Sequence, residues 1–325
     1  MLVKQQVKAK LLDALLSDLI LPPLPEDVPE AVVAPTLVGH NMAVRQLLGG
    51  AVCIEASNVA RYFDDNYIGD NMDAETWQND LKCLVPPHRK TFVEWERPNI
   101  PTATRMGVLF VACEPHEAES VACTIFAEEG IRSTLDKIAA FRANVRCKWI
   151  YITVDFLEFQ PTEGYATRLR GPFHVGATSV AEDGSVLNYW FQIGSGIDRD
   201  ESIQVAAASL VGWTTLAMLN CQNIATDMHR VPEAFQKARQ KRGKQPLVSF
   251  RTIRVDLGKT PRQVAAESLP GDESAKRLHK KRGHMKDYRK GSGLFGRYKG
   301  IWYWGPTLAG SEEEGVVVSN YKVSP

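Results

Sequence analysis

The sequence predicts an α+β protein in which a mixed or antiparallel sheet is packed by a long apolar helix. Lys148 to Phe159 is rich in β-branched and aromatic residues, which favour strands. Phe173 to Ser179 and Val186 to Ile193 flank the sequence Glu182-Asp-Gly-Ser, and an Asp-Gly pair between two such runs predicts a hairpin. Glu201 to Cys221 is apolar on nearly all sides, which is typical of a helix buried against a sheet.

Met1 to Leu21 predicts an amphipathic helix. The residues that follow, 21–29, include four prolines, which predict an extended linker and make the helix a separate arm. We expect the arm to pack on the chain's own core or on a sister subunit, and a membrane surface is the minority alternative. Charged residues interrupt the stretch, which argues against a signal peptide, and no apolar run reaches the roughly 18 residues of a membrane span. The leucines that share one face of this helix are Leu11, Leu12, Leu15, Leu16 and Leu19.

Further helices and strands are predicted along the chain. The apolar run Gly107 to Cys113 suits a strand buried on both faces, whereas Leu247 to Leu257 alternates as a half-exposed strand with Arg251 on its outward face. Gly300 to Trp304 and Val316 to Val323 are late strand candidates. The helices are His40 to Leu48, Asp73 to Leu84 with Asp73 as its cap, and Ser133 to Cys147 with Ser133 as its cap, followed by a short one over Pro232 to Gln240 with Pro at its first position.

Shifts in proline content and charge divide the chain into three predicted units. Residues 1–33 are the N-terminal helix with its Pro-rich linker, and residues 34–245 are the α+β core. Residues 246–325 form a basic C-terminal module rich in glycine and aromatic residues.

No metal or cofactor is predicted. The six cysteines lie in apolar surroundings without a CxxC pair, so we expect reduced, buried thiols rather than a zinc site. Asp155 and Glu158 are three residues apart in a strand and face opposite sides, which excludes a converging acid pair. Gly194-Ser-Gly196 precedes a helix, but the acidic residues that follow favour a capping loop over a phosphate site.

Charge is distributed unevenly along the chain. All 325 residues together carry 39 Lys and Arg against 38 Asp and Glu, a net charge of +1. Lys237 to Lys299, the basic window, contains 19 basic and five acidic residues, a net charge of +14, which leaves 20 basic and 33 acidic residues elsewhere. Such a window predicts a surface that binds a polyanion, because Lys and Arg neutralise phosphates. Two alternatives stay open, namely pairing with the acidic remainder in the same or a neighbouring copy, and a solvated face.

Aromatic residues are interleaved with these cations. Single-stranded nucleic acid needs both, because bases stack on rings while cations follow the backbone. The residues predicted to bind nucleic acid are Lys276, Arg277, Lys280, Lys281, Arg282, Lys286, Tyr288, Arg289, Lys290, Arg297, Lys299 and Trp302.

His279 and His284 lie in the densest part of the basic window. Neighbouring positive charge disfavours the imidazolium, so either could act as a general base in RNA cleavage. Neither a metal motif nor a paired carboxylate accompanies them, so both are weak catalytic candidates, and an ordinary place in a basic loop is the alternative. Whether the protein is an enzyme stays open, with a non-catalytic role preferred.

The last third of the chain resembles a known family in four segments. These are Leu219-Asn-Cys-Gln-Asn-Ile, Lys237-x-Arg-x-Lys-Arg-Gly-Lys, Arg277-x-His-x-x-Arg-Gly-His-x-x-x-Tyr and Gly293-Leu-Phe-Gly-Arg-Tyr-x-Gly-x-x-Trp. They are similar to uncharacterised proteins encoded by tailed phages and prophages. Members usually carry another aromatic residue or Pro-His-x-x-Gly near the end, where this chain has Pro306-Thr-Leu-Ala-Gly without a histidine. If that histidine takes part in chemistry, its absence counts against catalysis. The resemblance implies a virus of bacteria as the source and supplies no mechanism.

The leading hypothesis is a phage-encoded protein that contacts nucleic acid through its basic C-terminal segment. Its expected partners are nucleic acid or a nucleic-acid-containing host complex, its expected location is the host cytoplasm or the virion, and no membrane partner is predicted. The first alternative is an assembly, virion or host-inhibitor protein that acts through protein contacts, with the N-terminal helix as a route to a homo-oligomer. The third hypothesis is a metal-independent RNase.

Overall fold

A computed structural model of the chain describes residues 10–17, 45–60, 81, 83–96, 98, 103–125, 128–159, 170–193, 199–255, 277–281, 284–294, 296–304, 307–309 and 311–316. In these residues eight strands form one mixed sheet, and helices pack on both of its faces. The predicted α+β class with a mixed sheet is confirmed.

The elements have the following bounds. The helices are α1 (Leu11–Ser17), α2 (Ser57–Ala60), α3 (Ala118–Ile125), α4 (Glu128–Arg142), α5 (Arg199–Met218) and α6 (Glu233–Lys241). The strands of the large sheet are β1 (Val52–Glu55), β2 (Lys90–Glu96), β3 (Ala103–Cys113), β4 (Cys147–Phe159), β5 (Arg170–Ala181), β6 (Val186–Ile193), β7 (Ile224–His229) and β8 (Phe250–Val255). Two small sheets contain β9 (Arg277–Lys281), β10 (His284–Asp287), β11 (Ile301–Trp304), β12 (Thr307–Ala309) and β13 (Ser311–Val316).

The large sheet combines a meander with a parallel centre. Its strand order is β6-β5-β4-β3-β2-β1-β8-β7. Strands β2 to β6 are antiparallel neighbours in chain order, whereas β1 runs parallel to both β2 and β8. The predicted strand at β4 and the predicted hairpin of β5 and β6 are both confirmed. Strand β8 falls within residues 246–325, the predicted C-terminal module, yet it lies between β1 and β7 in this sheet.

Helix α5 occupies the span predicted for the apolar helix and covers one face of the sheet. Its Trp213 ring meets Phe110 edge-on, with centroids 4.8 Å apart, and Tyr151 at 5.7 Å. At Gly212, a Cβ atom would lie only 3.1 Å from the Phe110 ring, so glycine lets the helix approach β3 closely. The Tyr151 hydroxyl donates to the Leu84 carbonyl at 3.0 Å, which joins residues 83–85 to this side of the core.

Helices α1, α3 and α4 cover the opposite face. Leu11, Leu12 and Leu15 of α1 are completely buried there, as the leucine stripe predicts for a helix that packs on a core. At Gly107 in β3, a Cβ atom would lie 2.4 Å from the Phe92 ring, so the missing side chain leaves the space that Phe92 fills beneath α1.

Two predicted helices have other bounds in the structure. Helix α4 spans Glu128–Arg142, so Ser133 lies inside it and is not its cap, and Cys147 already belongs to β4, where it pairs with Ala181. Residues 83–86 are not helical, because the Leu84 N–H donates to the Gly184 carbonyl at 2.8 Å instead of to a preceding turn. Residues 61–80, which include Asp73, lie outside the described part of the chain.

Arg251 was predicted on the outward face of its strand, but the structure does not place it there. Its position in β8 places it two residues from the buried Ile253, on the same side of the strand, and its guanidinium donates to Thr226 Oγ1 at 3.2 Å. The late strand predicted over Val316 to Val323 lies, except for Val316 at the end of β13, outside the described part of the chain.

Four of the cysteines, Cys53, Cys83, Cys113 and Cys221, are buried and free, as predicted. Burial raises the pKa of Cys113 and of Cys221 to about 12, so these thiols stay protonated near neutral pH. Cys147 is half-buried, and Cys123 is exposed on α3, where the prediction of a buried thiol is wrong. An apolar sequence neighbourhood does not fix which side of a short helix faces the core.

Candidate nucleic-acid interface

Strands β10 and β11 form a two-stranded ribbon within the basic window. They are antiparallel, and Lys286 pairs with Trp302. Because side chains alternate along a strand, Lys286, Trp302 and Trp304 share one face, which we call the outer face. Ile301 and Tyr303 point the other way and are buried in the core beneath α5. The ribbon is thus held by its apolar inner face and carries aromatic and cationic side chains on the outer one.

Backbone and amide hydrogen bonds fix the ribbon to the end of α5. The Asn223 side chain donates to the Tyr303 carbonyl at 2.8 Å and accepts from the Tyr303 N–H at 2.9 Å. The Gln222 N–H donates to the Ile301 carbonyl at 2.8 Å. Gln222 and Asn223, which follow α5, therefore provide hydrogen-bond partners for the backbone of β11. These bonds give the outer face a defined orientation on the protein.

A glycine-rich loop, residues 288–300, connects the two strands. Leu294 is buried and exchanges two backbone hydrogen bonds with Tyr298, at 2.8 and 3.0 Å. Gly293 has φ +87°, and a Cβ atom there would lie 2.9 Å from the Tyr298 carbonyl oxygen, so this close turn requires glycine. The loop is tied down at Leu294 and projects Arg297 to Lys299 toward solvent.

The exposed rings and cations meet at the loop and the outer face. Tyr298 is 53% exposed and meets Trp302 edge-on, with ring centroids 6.0 Å apart. Lys286 Nζ lies 4.8 Å from the centre of the Trp304 ring, a cation–π contact. Trp302 and Trp304 are half-buried, and within the described part of the chain their indole nitrogen atoms are buried without a hydrogen-bond partner. Tyr298 and Trp304 are among the aromatic residues that interleave with the cations of the basic window, although only Tyr288 and Trp302 of these were predicted to bind nucleic acid.

Arg289 differs from the other cations of the loop because its guanidinium already pairs with a carboxylate. It donates to both carboxylate oxygens of Asp287, and its Nη1 donates to the Asp183 carbonyl in the turn between β5 and β6. The Arg289 guanidinium lowers the pKa of Asp287 through this hydrogen bond. Arg289 thus joins the ribbon to the large sheet.

Most described cations of the basic window lack an acidic partner. Within the described side chains, three of them lie within 4.0 Å of a carboxylate: Lys237 with Glu233, Arg254 with Asp227, and Arg289 with Asp287. By the same measure, Lys286, Lys290, Arg297 and Lys299 have no carboxylate partner, and all four are exposed. Lys299 donates instead to the Gly291 carbonyl.

The basic window does not form one continuous surface. Helix α6 carries several of its cations, and the Gln236 side chain of α6 bonds to the backbone of Leu247 at 2.6 and 2.8 Å. The neighbouring Val248 donates to Asp13 of α1 at 2.6 Å, which places this segment beside the face of the sheet opposite to the ribbon. Proximity in sequence therefore overstates how many of these cations one ligand could reach.

The predicted binding residues divide into three groups. Lys276 and Arg282 lie outside the described residues, and only the backbone is described for Arg277, Lys280 and Lys281, and for His279, in β9. Tyr288 is half-buried and closes the base of the loop by donating its N–H to the Gly300 carbonyl at 2.8 Å. The residues that the structure brings together on the ribbon and its loop are His284, Lys286, Arg289, Lys290, Arg297, Lys299 and Trp302.

A buried carboxyl group on the α1 side is the main feature that sequence inspection missed. Glu94 in β2 is 4% exposed, and its Oε2 accepts the Leu12 N–H at 3.0 Å and lies 3.9 Å from Cys53 Sγ. Burial raises its pKa to about 7, while the Leu12 N–H and the charges of Lys10 and Arg105 act in the opposite direction. Glu94 therefore fastens α1 to the sheet.

The two acidic residues of β4 lie on opposite faces of the sheet. Glu158 pairs with Arg105 on the α1 side, whereas Asp155 lies on the α5 side, as predicted from their spacing. In the described residues no cluster of three or more His, Cys, Asp or Glu is arranged to hold a metal ion.

Comparison of the chain with family models, with curated proteins and with solved structures returned no match. Of the helices that the structure describes, none has both the length and the apolar character needed to cross a membrane.

Proposed function

We propose that this protein binds nucleic acid through the ribbon and its loop. The observation that carries the proposal is the group of exposed cations Lys286, Lys290, Arg297 and Lys299, which have no carboxylate partner among the described side chains and belong to the same ribbon and loop as the exposed Tyr298. Unneutralised cations attract phosphates and release their counterions on binding. Pairing with acids of the same chain, the main alternative, is supported for only a few of the described cations. The resemblance to phage proteins supports a phage origin and the host cytoplasm as the place of action.

The first test is the salt dependence of binding. Fluorescence anisotropy with a short labelled oligonucleotide should show an affinity that falls steeply between about 50 and about 200 mM salt. An affinity that stays constant over this range would reject the proposal, because phosphate binding by cations always releases counterions.

The second test locates the surface. Lys290→Glu with Arg297→Glu should weaken binding and reduce the slope of log Kd against log salt by roughly 0.7 to 0.9 for each phosphate that is no longer neutralised. The matched control is Lys241→Glu with Arg242→Glu at the end of α6, which makes the same charge change beside the opposite face. If both pairs weaken binding equally, net charge and not the ribbon governs the interaction.

A role in assembly through protein contacts is the second candidate. It is supported by α1, which packs deeply through Leu11, Leu12 and Leu15, and is followed in sequence by the Pro-rich stretch 21–29. A linker of this kind would allow the same helix to dock on a second copy. Light scattering that gives the mass of a single chain would reject the exchange of α1 between copies.

A further inference from the structure

We propose that the ribbon and its loop select single-stranded nucleic acid, and that Tyr298 is a platform on which one base stacks. This inference rests on the proposed nucleic-acid binding and specifies its ligand. The ligand class is defined by unpaired bases, which expose their ring faces, next to a phosphate backbone.

Tyr298 has the exposure and the support that a stacking platform needs. It is one of the few large apolar side chains in the described residues with about half of its surface exposed, at 53%. The Trp302 ring meets Tyr298 in an edge-to-face contact, with ring centroids 6.0 Å apart, and limits its orientations. A base that stacks on a ring already held in place costs less conformational entropy than one that must order the ring.

The backbone beneath Tyr298 is also held in place. Its N–H donates to the Leu294 carbonyl and its carbonyl accepts from the Leu294 N–H, and the Leu294 side chain is buried. The ribbon that bears the loop is itself fixed by Asn223 and by the buried Tyr303. The ring position is therefore set by the core and not by a free loop.

Exposed cations belong to the same loop and ribbon as this ring. Arg297 and Lys299 are its sequence neighbours, and Lys286 lies on the adjacent outer face beside Trp304. Phosphates next to a stacked base can thus meet positive charge on the same loop. Sequence-tolerant single-strand binding requires this combination of an exposed ring and cations.

The same geometry argues against a duplex groove. A two-stranded ribbon can enter a major groove, but it must project from the protein and carry side chains that bond to base edges. Here the inner face is packed on the core, and the outer face carries Trp302 and Trp304, whose indole nitrogen atoms are buried and cannot bond to base edges. Duplex DNA also keeps its base faces stacked inside, where an exposed tyrosine cannot reach them.

The test compares Tyr298→Ala and Tyr298→Phe with the wild-type protein on three labelled ligands of one length: single-stranded DNA, single-stranded RNA and duplex DNA. Tyr298→Ala should weaken single-strand binding roughly 5- to 150-fold, the range expected when one base no longer stacks, with an unchanged salt slope because no charge is removed. Tyr298→Phe keeps the ring and should restore at least most of the affinity. Binding to duplex should be weaker than to single strands and insensitive to either change.

The outcomes separate this inference from the proposed function. If Lys290→Glu with Arg297→Glu weakens binding while Tyr298→Ala changes single-strand affinity by less than about twofold, nucleic-acid binding stands and the stacking platform is wrong. Preference for duplex over single strands would also overturn the inference alone. Absence of binding to all three ligands would overturn both. Thermal denaturation of Tyr298→Ala close to that of wild type shows that the effect is local, as expected for an exposed side chain.

Discussion

The backbone N–H of Leu12 donates to Oε2 of Glu94 at 3.0 Å, which joins the first described helix to the middle of the sheet. The carboxyl group is almost completely buried, and burial raises its pKa to about 7. Docking of the N-terminal helix is therefore coupled to the protonation of Glu94. The Val248 N–H, which donates to Asp13, is a second connection between this helix and the rest of the protein.

The free energy of unfolding should depend on the protonation of Glu94. The pKa of Glu94 is raised from 4.5 to about 7 on folding, so the folded state favours the protonated acid. Its contribution is fully present below pH 4.5 and is lost as the pH rises through about 7, by at most about 3 kcal/mol in the free energy of unfolding. Glu94→Gln removes the titration and should leave an unfolding free energy that varies less with pH between these values.

Urea denaturation across this pH range measures the effect as the difference between wild type and Glu94→Gln. The difference isolates Glu94 from other groups that titrate, such as Asp13, whose pKa burial also raises. An identical pH dependence in both proteins would mean that the pKa of Glu94 is the same in the folded and unfolded states.

Anchoring of the ribbon should depend on Asn223. Asn223→Ala leaves both the N–H and the carbonyl of Tyr303 without this partner and should lower the free energy of unfolding by about 1 to 3 kcal/mol. Hydrogen exchange at the Tyr303 amide should become faster. Gln222→Ala is the control, because Gln222 bonds to Ile301 through its backbone N–H and not through its side chain. Equal losses of stability in the two variants would contradict the assigned role.

The turn between β5 and β6 should tolerate no side chain at Gly184. Its φ is +85°, and a Cβ atom would lie 2.8 Å from the Leu84 nitrogen and 2.9 Å from Cys83 Cα, both backbone atoms that cannot move aside cheaply. Gly184→Ala should therefore cost more than the roughly 1 to 2 kcal/mol of the left-handed conformation alone. Gly243→Ala, with φ +67° and open space around it, gives that conformational cost by itself.

Denaturant unfolding of both glycine variants provides the comparison. If they lose the same amount of stability, residues 83 and 84 must be able to shift, and the packing of this segment against the hairpin turn does not constrain the fold.

Local patterns in the sequence predicted the meander well. Strand β4 and the hairpin of β5 and β6 follow from side-chain type and from the Asp-Gly turn, both of which act over a few residues. The same kind of evidence placed α4 too late, because the cap-like Ser133 lies in the middle of a helix that begins at Glu128. Cap residues favour a helix start without determining it.

Long-range relationships were not accessible from those patterns. Parallel pairing of β1 with β8 joins residues that are far apart in sequence, and no local signal encodes it. The basic window was recognised from composition, but composition could not show that α6 and the ribbon lie beside opposite faces of the sheet. Glu94 was missed for a related reason, since a carboxyl group becomes a buried helix anchor only when the chain folds back over it.

The parallel pairing of β1 and β8 also has a consequence during protein synthesis, because β1 is made long before β8. Cys53 pairs with Phe250, so one edge of β1 has no neighbour until nearly all of the large sheet has been made. At the usual rate of about 5 to 20 residues per second, the ribosome needs roughly 10 to 40 s to add the intervening chain. During that interval the nascent protein presents an open edge to other chains, and we expect its yield in cells to depend on chaperones that cover such edges.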